Sequence, residues 1–278
     1  MMIRCLLALT FLASLLPARE LRDLPYVESP TPEQKVDLYL PDTGGDHPVV
    51  IAIHGGGWTL GQRDMGRFVQ PKARWLNRNG FIFASIGYRL APAVQHPGQI
   101  EDVCAAIAWV QKNIARYQGD PRQIYLLGHS AGAQLAALAA IDKRRLVAAG
   151  GDPSVIRGVI LLDGAGYDIP AEVGGIAPFP SLSWMYPRAF TSDPAVQRDA
   201  SPIHHIDHRC PPFLILHPQN RGHAGRLSHL LSQALQKQGG FAAVIAVPGK
   251  THGTISKDLG KRRDPTTRAV AAFLGLDS

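Results

Sequence analysis

The most constraining stretch of this chain spans residues 124–141, where a short apolar run meets an alanine-rich one with almost nothing between them. Residues 124–127 are continuously apolar, as a buried parallel strand is. Gly128-His129-Ser130-Ala131-Gly132 follows at once, and residues 131–141 have the alanine and leucine content of a helix packed against a sheet. A strand can turn into a helix over so few residues only where side chains are missing at the points of closest approach. Gly128 and Gly132 supply those points. Ser130 is left at the tip of the turn with its hydroxyl outward, at a helix N-terminus whose dipole favours negative charge.

The same alternation runs along the chain. Residues 36–40 alternate as an exposed edge strand would, with Gly44-Gly45 turning after them. Residues 49–53, 81–86, 159–162, 213–216 and 243–247 read as further strands. Helices are expected over 66–79, broken or kinked at Pro71, and over 99–117, 227–238 and 265–274. Strands alternating with helices predict an α/β domain: a mostly parallel central sheet with helices on both faces, and ligands at the carboxyl ends of the strands. Residues 163–212 do not alternate. They are rich in Pro, Gly and aromatics, with Phe179, Trp184, Tyr186 and Phe190 in close succession, and read as an irregular insertion over the site.

Composition narrows the class. Apolar residues make up 45% and charged residues 18%, which excludes a disordered chain, a coiled coil and a polytopic membrane protein. The formal charge of +7 comes without any block of like charges, so a solvated surface is expected and no nucleic-acid partner. Residues 1–18 differ in kind: Arg4, an almost wholly apolar stretch over 5–16, then Pro17-Ala18. That is the pattern of a secretory signal peptide cut after Ala18, too short to span a bilayer. The expectation is an exported chain, periplasmic or secreted, whose residues 19–278 form one domain with no membrane span. Cys104 and Cys210 would then sit in an oxidising compartment, but two cysteines are not a disulfide framework. Cys104 falls on an apolar stripe with Ile100, Val103, Ile107 and Ile114, where core burial is expected.

Three places carry chemistry. Ser130 is the candidate nucleophile. His54-Gly55-Gly56-Gly57-Trp58 follows the strand at 49–53, and its glycines let the backbone turn N–H groups toward the nucleophile. Gly56, Gly57 and Ala131 are the candidate oxyanion donors. No Lys-Ser or Lys-Thr follows, so the loop is not a P-loop phosphate cradle. His54 reads as a residue that holds this loop. His252 comes just after the last strand, on a later loop at the same sheet edge, and is the candidate general base. The cluster His204-His205-Ile206-Asp207-His208 reads as a solvated loop, and neither a metal nor a cofactor is expected.

These residues, with Tyr88-Arg89-Leu90-Ala91-Pro92, Ile100-Glu101-Asp102, the stretch 211–217 and Gly253, make the sequence resemble serine esterases of the α/β-hydrolase superfamily. The closest likeness is the branch of small carboxylesterases, feruloyl- and acetylxylan-type esterases and kynurenine formamidases. The resemblance implies the α/β-hydrolase fold and ester or amide hydrolysis through an acyl-enzyme on Ser130, with a small ester as substrate. It also exposes a departure. The acid that orients the histidine usually follows the strand at 213–216, but here that loop reads His217-Pro218-Gln219-Asn220-Arg221-Gly222-His223. Asp163, at the end of the preceding strand, and Asn220, through its amide oxygen, both stand as third members, with Asp207 and Asp168 farther off. An arylformamidase and an esterase-fold binding protein are the rival readings. Trp58, Trp184 and Tyr186 are expected at the substrate.

Overall fold

Buried apolar runs need partners on both edges, and the described residues supply them with eight strands. In the computed structural model, which describes residues 19–176 and 184–276, these are β1 (Arg19–Pro25), β2 (Lys35–Leu40), β3 (His47–Ile53), β4 (Ile82–Ile86), β5 (Gly119–His129), β6 (Ile156–Leu162), β7 (Phe213–Pro218) and β8 (Ala242–Val247). They form one sheet in the order β1-β2-β4-β3-β5-β6-β7-β8. The first two pairings are antiparallel and the rest parallel.

Side chains alternate across a strand, so the sheet feeds two cores. Val49, Ile51 and Ile53 of β3 join Leu126 and Val159 on one face, while Val50 joins Phe83, Leu127 and Ile160 on the other. Helices α2 (Gly98–Asn113), α3 (Ala131–Ile141), α4 (Lys143–Ala148) and α8 (Gly222–Lys237) cover the first face. Helices α1 (Gly66–Arg78), α9 (Thr254–Lys257) and α10 (Pro265–Phe273) cover the second. Every residue of α3 is buried, which is why that segment is apolar all round rather than on one face.

The helix at 66–79 continues through Pro71 instead of breaking. Pro71 lies in its second turn, where its missing N–H forfeits one intrahelical bond, to the Arg67 carbonyl, without ending the helix. The helix expected over 99–117 ends as a 3₁₀ turn at Ile114–Tyr117. One expectation is overturned: residues 36–40 are not an exposed edge. β1 pairs antiparallel alongside, and Val36, Leu38, Tyr39 and Leu40 are buried. β1 was illegible because RELRDLP has only two leucines, three apart across a register shift. Its charged residues are those of a blunted edge strand.

The insertion is more ordered than its composition suggests. Short helices α5 (Ile169–Ala171), α6 (Met185–Phe190) and α7 (Pro194–Asp199) occupy it. Asp168 and Asp193 cap α5 and α7, and Ser201 Oγ accepts from the Ile169 N–H at 2.9 Å. Phe179 lies outside the described residues. Cys104 is buried and Cys210 half-buried, and both are free thiols.

Candidate active site

Because β3, β5, β6, β7 and β8 run parallel, their carboxyl ends open onto one edge, where all the candidate residues gather. Ser130 sits between the last residue of β5 and the first of α3 with φ 55° and ψ −122°. That backbone is costly for a residue with a side chain, and the surroundings hold it. The Ser130 N–H donates to the carbonyl of Leu162 at 3.0 Å, which pins the turn to the end of β6. A Cβ on Gly128 would run into the Gly132 carbonyl, and one on Gly132 into that of Ile53. The turn tolerates glycine alone at both positions.

The loop after β3 is built by stacking and hydrogen bonds. The His54 ring lies over Tyr88, centroids 4.3 Å apart and 12° from parallel, and Tyr88 donates its hydroxyl to the His54 carbonyl at 3.1 Å. His54 Nδ1 reaches the Gly55 carbonyl at 2.8 Å, and burial pushes the imidazole down to about 4. It is a neutral brace, as expected of it. Arg89 is clamped to Asp102 through its backbone N–H and two guanidinium nitrogens at 2.8–2.9 Å. The Ala91 N–H donates to the Trp58 carbonyl at 2.8 Å. The residues at 88–92 and 100–102 therefore serve to hold the glycine loop.

A Cβ on Gly55 would lie 2.9 Å from that of Ser130, so the loop presses against the turn. Gly57 has φ 59° and faces Met185. The N–H groups of Gly56, Gly57 and Ala131 make no backbone hydrogen bond among the described residues. Ala131 is the first residue of α3, where an N–H has no intrahelical partner.

His252 and Asp163 meet here. Asp163 follows β6 with φ 46°, a conformation Asp tolerates, and its N–H donates to the Leu216 carbonyl at 2.7 Å. Its carboxylate is fully buried, with Oδ2 2.7 Å from Nδ1 of His252, whose side chain is 38% exposed. Asn220 lies elsewhere: it is exposed and makes no side-chain hydrogen bond among the described residues. Asp168 caps α5 and Asp207 pairs with Lys143 at 2.6 Å, so neither reaches His252. In the polar cluster at 204–208, His204 faces Asp168 at 3.5 Å and His205 bonds the Asp199 carbonyl at 2.9 Å.

Three contributors escaped the sequence. His129, the residue before the serine, holds the carbonyl of His252 through Nε2 at 2.8 Å, with the two rings 4.8 Å apart. A carbonyl accepts only, so Nε2 carries the proton. Burial and the neighbouring His252 push His129 down to about 3, which keeps it neutral. Arg221 comes from the loop that lacks an acid and brings a cation instead, its Nε 2.9 Å from Asp163 Oδ2. Glu172 is 5% exposed and accepts from the Gly166 N–H at 2.9 Å and from the Tyr186 hydroxyl at 2.6 Å, which ties the insertion down. Burial raises its pKa. The only sequence sign of Glu172 was an acid within an otherwise apolar and glycine-rich stretch.

The expected substrate aromatics divide. Trp58 is only 3% exposed and donates Nε1–H to Gln134 at 2.9 Å, so it lies behind the loop rather than on its open face. Its indole must satisfy its N–H when buried, and Gln134 does so. Tyr186 packs on it with ring centroids 5.3 Å apart. Trp184 is 44% exposed, with the Arg188 guanidinium 4.9 Å from its ring centre.

Solved structures carry the same arrangement of strands and helices. An esterase from Pyrobaculum calidifontis superposes with a TM-score of 0.70 at 25% identity, over 87% of this chain and 82% of its own. A truncated carbohydrate esterase from gut microbiota gives 0.73 at 22% identity, over 93% and 95%. The chain has the α/β-hydrolase fold. The BD-FAE family model matches residues 36–151. The chain is 32% identical to Esterase LipQ of Mycobacterium tuberculosis over 93% of its length and 63% of that protein's. It is 30% identical to Esterase LipC of the same organism, over 82% and 58%. The chain thus spans about three fifths of the length of those two relatives.

Proposed function

We propose that this α/β-hydrolase is an exported serine hydrolase of small carboxylic esters. The observation that carries the reading is the 2.7 Å contact between His252 Nδ1 and the buried Asp163 carboxylate, beside a serine held at a strained turn. Ser130 Oγ attacks the acyl carbon while His252 takes its proton through Nε2. Asp163 fixes the tautomer that leaves Nε2 free and stabilises the imidazolium that forms. Charge developing on the carbonyl oxygen meets the N–H groups of Gly56, Gly57 and Ala131. His252 then protonates the departing alkoxide, and water releases the acid by the same route. LipQ and LipC, both named esterases, support ester chemistry. The apolar pattern of residues 1–18 supports export, with the mature chain starting at Arg19.

A panel of p-nitrophenyl esters from acetate to palmitate, run beside N-formylkynurenine, tests the substrate class. Short acyl esters should turn over fastest, and a phosphonate should label Ser130. Faster turnover of palmitate than butyrate contradicts the small-ester reading, and preference for the formamide would make the protein an arylformamidase. An unlabelled serine would leave an esterase-fold binding protein. Peptide mapping of the exported protein should find Arg19 at its N-terminus, and an intact Met1 end would refute the cleavage.

A further inference from the structure

A cavity of about 330 Å³ lies between the glycine loop, α1 and α9. Its walls include Gly55, Gly56 and His252 on one side and the apolar Met65, Phe68 and Val69 on the other. Leu60 also lines it and is 60% exposed, so the cavity reaches the surface there. Ser130 does not line it. The volume falls at the lower end of the range for small-molecule sites.

One wall residue is out of character. Val69, Lys72, Ala73 and Leu76 form the buried stripe of α1 at helical spacing, and Lys72 is 5% exposed. A lysine in such a stripe normally extends its stem outward to water. This one is enclosed, and its single hydrogen bond goes to the Phe68 carbonyl one turn back. Its ammonium forms no ion pair among the described residues. Asp258, just past the end of α9, is the carboxylate it feels, but that group is held by Lys250 at 3.0 Å and Lys261 at 2.5 Å. The other ionisable groups on the cavity wall are the neutral rings of His54 and His129, then His252, and finally Arg63, which is paired with Asp37 at 3.0 Å. Burial without a counter-charge pushes Lys72 down to about 7. A buried amine with N–H donors to spare is costly unless something completes it.

We propose that this cavity receives the alcohol half of the ester and that Lys72 binds a carboxylate carried at the far end of that alcohol. The assignment to the alcohol side rests on the serine-hydrolase reading: His252 hands its proton to the leaving oxygen, and His252, not Ser130, borders the cavity. A carboxylate supplies acceptors for the spare N–H groups and the counter-charge that the site lacks. The substrate class is thus an ester of a hydroxy acid, hydrolysed with its own acid group free.

The test uses butyrate esters of ω-hydroxy acids with two to six carbons, each beside the butyrate of the uncharged n-alcohol of equal chain length, with kcat/KM followed in a pH-stat. At one chain length the wild type should prefer the acid by about tenfold or more, the effect of a charge-assisted hydrogen bond. In Lys72→Met that ratio should fall to near one. A second readout needs no turnover: the free hydroxy acid should raise the melting temperature of the Ser130→Ala protein but not of Ser130→Ala carrying Lys72→Met. If Met at 72 does not fold, Lys72→Gln takes its place in both measurements. Absence of the preference at every length, or its survival in the Lys72 variants, overturns the proposal. Failure of the wild type on all esters while the hydroxy acid still binds in a Lys72-dependent way would refute the hydrolase reading and keep the anion site.

Discussion

Asp163→Asn isolates the third member of the site with little disturbance of the backbone. Asp163 has φ 46°, and Asn is among the few residues that accept that region, so the turn after β6 should survive. What changes is the group 2.7 Å from His252 Nδ1. An amide can present its NH₂ to an unprotonated Nδ1, which moves the histidine proton to Nε2 and leaves no base facing Ser130. It also removes the charge that stabilises the imidazolium. In the best-studied triad the same exchange costs about 10⁴ in kcat, or about 5.4 kcal/mol of activation free energy. Arg221 adds a second loss, because its Nε lies 2.9 Å from the same carboxylate oxygen. Arg221 keeps 24% of its side chain exposed, so water screens much of that loss, and we assign it no more than about 1 kcal/mol of stability. The assay is kcat/KM on p-nitrophenyl butyrate with urea unfolding in parallel. A drop of about three decades or more with a stability change near 1 kcal/mol is expected. Asn220→Ala, at an exposed side chain without hydrogen bonds, should stay within about threefold. Activity of Asp163→Asn within tenfold of wild type, or a rise in Asn220→Asp, would refute the reasoning.

Ser130→Ala should abolish turnover and keep the fold. Ser130→Gly should gain about 1 kcal/mol over Ser130→Ala in urea unfolding, because glycine alone relaxes at φ 55°, and equal stabilities would deny the strain. Acid should destabilise the protein through His54 and His129, which are held at about 4 and about 3. Each contributes full stability above the unfolded value of 6.5 and loses it as pH falls toward the folded value, because the unfolded chain binds the proton first. Both residues are half-buried, so we take about half the full slope, on the order of 1 kcal/mol per pH unit for the pair. Urea midpoints that do not fall between pH 7 and pH 5 would contradict it. Tyr186→Phe should cost about 1.5–3 kcal/mol by taking a 2.6 Å hydrogen bond from the buried Glu172, and an unchanged melting temperature would show the insertion held by other contacts.

Whatever depends on neighbours along the chain was legible beforehand. The glycines around Ser130, the apolar runs of β3, β5 and β7 and the all-apolar α3 are local patterns, since strand burial and turn sterics act over a few residues. So was the gathering of Ser130, the glycine loop and His252, because parallel strands bring their carboxyl ends to one edge. β1 was not, since an edge strand of charged residues takes its identity from the partner it pairs with. Nor was the choice between Asp163 and Asn220: both sit after adjacent parallel strands and differ only in which way the side chain points. The tertiary fold decided it by bringing His252 against a residue 89 positions earlier. Trp58 and Lys72 teach the same lesson in opposite directions. An indole expected at the substrate is buried because Gln134 satisfies its N–H. An ammonium that chemistry places in water lies enclosed, because the helical spacing of α1 turns it inward with its apolar neighbours. Sequence patterns record the average cost of burying a side chain, and only the packed structure shows which partner, or which empty space, awaits it there.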